Sequence, residues 1–297
     1  MSIWSAAALS VALLAQQPAT RPAEEGSTVE SLVVTARPLP ETRAIEAFVA
    51  TVADETGNRR LGRWDRKVCP GVMGFRPYYG QLILDRIAAA ALEIGLEVGK
   101  PGCKPNMIIF GTADSDALTR DLVKEYPSAF AKYDDGIRAS RTSFDAFMAS
   151  KAPVRWWHVT RRTTADGQQY NRGDQVRVRQ VGRLNSGTRD DFDRVIIVMD
   201  VTRMGKLRMT SLADYIAMIG LAQVDPDANP AGVSSVLNLF ADREAGVEPV
   251  PGMTEWDKAY LKGLYGAKRS ARRGADQEED ITRSMVKDLG GAPPPKK

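Results

Sequence analysis

Residues 195–223 read V-I-I-V-M-D-V-T-R-M-G-K-L-R-M-T-S-L-A-D-Y-I-A-M-I-G-L-A-Q. From Val195 to Val201 the run is apolar at every position but Asp200, the pattern of a central strand covered on both faces. From Ser211 to Ile219 the period lengthens, so that Leu212, Tyr215, Ile216 and Ile219 share one face of a helix. Ser211 and Asp214 have the spacing of a capping-box-like pair, and Gly220 stands where such a helix stops. A buried strand feeding a core helix sets the frame for the rest.

Upstream, Val154 to Thr160 reads as a strand carrying Trp156 and Trp157. D-G-Q-Q-Y-N-R-G-D reads as a turn with Asp166-Gly167 as the hairpin signal, and Val176 to Val181 alternates like a half-exposed strand. Thr42 is placed to cap a helix bearing Ile45, Phe48, Val49 and Val52. A second helix runs from about Gly80 to Ile94 and stops at Gly95. A short strand, Met107 to Phe110, precedes an amphipathic stretch around Leu118, Leu122 and Val123. Downstream come D-P-D-A-N-P, S-S-V-L-N-L-F and a helix from Thr254 to Leu264. The expected class is α+β, a mixed but mostly antiparallel sheet packed with the helix after Val201 and a C-terminal helix. A single domain spans 41–266. Residues 267–297 read as a charged tail ending A-P-P-P-K-K, with at most a loose helix near Asp280 to Leu289.

The first fifteen residues, M-S-I-W-S-A-A-A-L-S-V-A-L-L-A, carry no charge and suit a signal peptide, and residues 16–40 read as a flexible lead-in. The apolar run is shorter than the roughly 20 residues a membrane span needs, so no transmembrane span is expected in the mature form. Cys69 and Cys103, an even pair on turn-rich segments, read as a disulfide. Such a bond fits an exported protein of the periplasm or cell envelope. Net charge is +4, but residues 136–208 hold 15 Lys/Arg against 7 Asp/Glu. That basic centre suggests an unknown protein or an anionic envelope component as partner. Few aromatics interleave with these basic residues, which excludes nucleic-acid binding.

Three segments in order carry a family resemblance: A-D-Y-I-A-M-I-G-L-A-Q (Ala213 to Gln223), S-S-V-L-N-L-F (Ser234 to Phe240) and M-T-E-W-D-K-A-Y-L-K-G-L-Y-G (Met253 to Gly266). The order resembles the C-terminal half of zincin and metzincin metallopeptidases. There a helix bearing H-E-x-x-H-x-x-G-x-x-H leads to a Met-containing turn and then a closing helix. It is also similar to uncharacterised exported bacterial proteins with that scaffold. On this pattern Gly220 matches the glycine, Leu237 falls near the turn methionine, and Asp257, Leu264, Tyr265 and Gly266 match the closing helix. The ligand positions hold Ala213, Ala217 and Gln223, and the general-base position holds Asp214. Two methyl groups and a neutral amide cannot hold a zinc ion.

Composition points the same way. The chain has one histidine, His158, and two cysteines, too few for a His₂ or His₃ metal site or a zinc–thiolate cluster. No cofactor is expected. Asp225, Asp227 and Asn229 have the spacing of a calcium-loop start, but Pro230 and Val236 replace the residues that loop needs. Asp200, Asp214 and Asp225 offer an alternative, an Asp-based metal site of a hydrolase. Within the Val154–Thr160 strand His158 reads as a satisfied strand residue, and Trp64 and Trp256 read as packing residues. The function expected is that of a non-catalytic binding or structural protein.

Overall fold

The computed structural model describes residues 41–54, 60–130, 141–170, 174–175, 182 and 186–290. The signal-peptide, lead-in and Val176–Val181 strand assignments, and the final A-P-P-P-K-K, lie outside the described residues. All described elements belong to one unit, residues 39–297.

Four strands form one sheet in the order β1-β2-β4-β3, where β1 is Pro70–Met73, β2 Met107–Thr112, β3 Val154–Thr164 and β4 Thr188–Asp200. β1 pairs with β2, and β2 with β4, in parallel, while β3 lies antiparallel to β4. The mixed sheet is therefore not mostly antiparallel, since two of its three pairings are parallel. Helix α2 (Pro77–Glu93) explains the difference, because it carries the chain from β1 back to start β2 in the same direction. Only the β3–β4 pair keeps the antiparallel geometry read from the sequence.

From Val195 to Met199 β4 is apolar on both sides because both faces are covered. Val195, Ile197 and Met199 pack with Met107, Ile109, Ile83 and Ile87, whereas Ile196 and Val198 pack with Trp157, Val123, Phe130 and Phe147. The second group includes side chains of α3 (Ser115–Glu125) and α4 (Arg141–Ala149). Each aliphatic side chain sealed this way contributes about 1.5 to 3 kcal/mol.

Helix α5 (Met209–Leu221) is buried at every position from Ser211 to Leu221. A helix covered all round belongs to the core. Its start differs from expectation. The N-cap is Arg208, Ser211 donates to the Val250 carbonyl (2.8 Å), and Asp214 turns to other partners, so no capping box forms. Gly220 lies inside the helix rather than ending it. A Cβ there would meet Met107 Sδ at 2.8 Å, so glycine lets α5 approach β2. Thr42 is likewise the first helical residue of α1 (Thr42–Val52) rather than its cap, which is Glu41.

The chain then forms a 3-10 turn at Val236–Asn238, a short helix α6 (Leu239–Glu244) and α7 (Glu255–Gly266). Thr254 and Asp257 make a true capping box on α7. The expected loose tail is instead helix α8 (Gly274–Asp288), with Ile281, Met285 and Val286 buried against the core. Its apolar stripe, together with the Asp276 carboxylate, which accepts from Arg273 N (3.2 Å) and Arg273 Nη2 (2.7 Å), makes it an integral helix. The domain therefore extends past residue 266. Cys69 and Cys103 are disulfide-bonded, as expected. Among the described residues no helix is long and apolar enough to cross a membrane.

Candidate functional site

Among the described residues β3 is an edge strand. Asp200 N donates to Pro153 O (2.9 Å) at one end of its pairing with β4, while Val195 N donates across to Asn106 O (2.9 Å). In an antiparallel pair the backbone bonds alternate. Arg155 and Trp157 therefore face β4 with their N–H and C=O groups, and Val154, Trp156 and His158 turn theirs to the outer edge. Among the described residues the only bridge along that edge is Thr163 with Gln169, at its far end. A cleft of about 520 Å³ runs along the edge, lined by β3, by α4 and by the loop after α5.

One wall is formed by Gln223 to Asp227, which follow α5, together with Asp54 after α1. Gln223 is locked: its Oε1 accepts from Gly62 N (2.7 Å) and its Nε2 donates to Asp54 Oδ2 (3.0 Å). His158 also lines this wall. Its Nε2 donates to the Ile219 carbonyl (2.7 Å), which fixes the neutral tautomer, and its ring stacks on Phe192 at 5.0 Å. Burial pushes its pKa below the ordinary histidine value. The opposite wall carries Phe147, Lys151, Arg155 and Trp157. Asp116 accepts from Lys151 Nζ and Arg155 Nη2, each at 2.5 Å. These two cations hold its carboxyl down at about 2.

The positions drawn from the metallopeptidase pattern do not converge on this cleft. Ala213 and Ala217 are fully enclosed in the apolar core, and only Gln223 reaches the wall. Asp214 is 3 % exposed and pairs with Arg86 of α2, whose Nε lies 2.5 Å from Oδ1 and whose Nη2 contacts Oδ2. Met253 N donates to the same Oδ2 (2.7 Å). Asp214 is a tether between α5, α2 and the approach to α7.

The three aspartates of the hydrolase alternative serve separate local purposes. Asp200 accepts from Thr202 N (3.0 Å) and Thr202 Oγ1 (2.5 Å), Asp214 pairs with Arg86, and Asp225 accepts from Asp227 N (2.8 Å). The D-P-D-A-N-P segment is a turn closed by that last bond, while the Asn229 carbonyl accepts from Ala231 N (2.8 Å). Among the described residues no three His, Cys, Asp or Glu side chains are grouped to share a metal ion.

Where it is described, much of the basic centre sits beside carboxylates, some of them shared between cations. Arg189 pairs with Asp191 and Asp65, Arg161 and Arg194 with Asp193, and Arg208 with Glu248. Trp64 is fully buried and donates from Nε1 to Gly220 O (2.9 Å), and Trp256 packs on Phe48 at 5.3 Å. Two participants escaped the sequence reading. Arg155 left one signal, a cation alternating with apolar residues on Trp157's side of a strand. Arg86 left none, since any exposed helix arginine looks the same. Neither a protein-family model, nor a curated protein, nor a solved structure matches the chain.

Proposed function

We propose that this chain is an exported, non-catalytic binding protein on a zincin-like scaffold, and that its cleft receives an extended polypeptide segment of a partner. The observation that carries the reading is the edge of β3, open among the described residues, where Val154, Trp156 and His158 turn backbone donors and acceptors outward along the cleft. A strand added there would satisfy those groups, while side-chain pockets beside them would select sequence. The scaffold rests on chain order: buried strand, core helix, turn with Leu237 packed in the core, then α7. Tyr265 adds a tie by donating its hydroxyl to Leu221 O (2.7 Å). Export rests on the leader-like first fifteen residues and agrees with the Cys69–Cys103 bond.

The non-catalytic reading is supported by the chemistry at the matched positions. Two core methyl groups and a locked amide offer no metal a first shell, and the carboxylate beside them is committed to Arg86. The test is selection of decapeptides from a random library on the full chain. Methylating backbone nitrogens at alternate positions of a selected peptide is expected to weaken binding about tenfold in one register, and hardly at all in the other. Equal loss in both registers, or a library that yields no binder, refutes the reading.

A further inference from the structure

Buried Arg60 uses all three of its guanidinium nitrogens. Arg60 bonds Asp190 through Nε (3.0 Å), the Thr188 and Ala271 carbonyls through Nη1, and Thr188 Oγ1 through Nη2 (3.0 Å). Arg155 does not. Its side chain is 2 % exposed, and its Nη2 is held by Ser115 Oγ (3.1 Å) and Asp116 Oδ1 (2.5 Å). Its Nε and Nη1 are buried with no hydrogen-bond partner. Leaving a charged group's donors unmet away from water is unfavourable. Such a cost is characteristic of a site waiting for its acceptor, and Arg155 lines the cleft.

The charges on its own wall say which acceptor, while Asp54, Asp225 and Asp227 belong to the facing wall. Arg155 and Lys151 share the single carboxylate of Asp116, so the three groups together are positive by one charge. We propose that Arg155 sets the ligand chemistry of the cleft by pairing with a carboxylate of the bound segment, an inference that rests on the polypeptide-binding reading above. Lys151, 77 % exposed, is the member of the trio that can yield its place at the cleft surface. Asp116 and Ser115 keep the guanidinium oriented through Nη2, while an oxygen of the newcomer accepts from Nη1 or from Nε, which lie on different edges of the guanidinium. The carboxylate has two sources in a polypeptide, an acidic side chain or the chain terminus.

Decapeptide libraries with free and with amidated C-termini, selected on the full chain, separate these sources. Asp/Glu enrichment at one position in both formats assigns a side-chain carboxylate, and binders confined to the free-terminus format assign the terminal one. Either result supports the inference. Arg155→Gln is then expected to weaken the selected peptide about 30-fold or more, with Arg155→Lys intermediate. Replacing the peptide's own carboxylate by the amide should cost the wild type a similar factor and the Arg155→Gln variant almost nothing. That comparison holds the protein constant and survives a variant that folds less well. Binders in both formats with no acidic preference overturn the role of Arg155 but leave polypeptide binding intact. No binder in either format removes both.

Discussion

Asp214→Asn is the substitution that separates a structural carboxylate from a catalytic one. In the folded protein Asp214 receives two N–H groups of Arg86 and the amide of Met253, with its own side chain 3 % exposed. Asparagine keeps the size but replaces one acceptor by a donor that faces Arg86. Removing one partner of a fully buried ion pair costs about 3 to 5 kcal/mol. Arg86 is 42 % exposed, so water takes over part of its pairing, and the expected loss is about 2 to 3 kcal/mol. At about 2 to 4 °C per kcal/mol for a domain of this size, the melting temperature should fall about 4 to 12 °C. Differential scanning calorimetry and urea titration read it directly. Gly252→Ala should act at the same point, because a Cβ there runs into Asp214 Oδ2. A variant of unchanged stability, or one that folds normally while losing a hydrolytic turnover, refutes the tether.

Three further outcomes follow from the packing. His158 is the chain's one histidine, and its burial lowers its pKa. The unfolded chain therefore takes up that proton first, and stability should drop as pH falls below about 6.5. The single imidazole resonance should titrate below that value, and His158→Gln should flatten the slope; titration above it contradicts the burial. Replacing both Cys69 and Cys103 by Ala should cost about 3 to 4 kcal/mol, given the 34-residue separation they span. A loss under about 1 kcal/mol in oxidised against variant protein would deny the bond its role. Ala217→His places an imidazole in a fully enclosed site. Overpacking and an unpaired polar ring should destabilise by about 3 kcal/mol; a stable variant that gains zinc affinity would show that the helix faces open space.

The residues that carried the fold in the sequence were those with strong periodicity. β4 and α5 were legible because V-I-I-V-M needs cover on two faces and Leu212, Tyr215, Ile216 and Ile219 need one. β1 was not legible, since P-G-V-M begins with two turn residues, and neither was the direction of β2, since a short apolar strand reads the same whichever way its neighbour runs. α8 was missed because its few apolar residues are spread among charges, and the stripe of Ile281, Met285 and Val286 matters only once α7 provides a surface. Gly220 was visible as a glycine, but its reason is Met107 across the sheet.

The sequence alone determined that this protein has one histidine and two cysteines, and that two alanines, Ala213 and Ala217, stand four residues apart in the run after Val201. These are facts of composition and order, which folding cannot change. Only the tertiary structure decided that those alanines are core, that Asp214 belongs to Arg86, and that Arg155 lies beside a cleft with donors unmet. Each of those depends on partners far away in the chain, and a hydrogen bond is fixed by distance and direction in space rather than by separation in sequence.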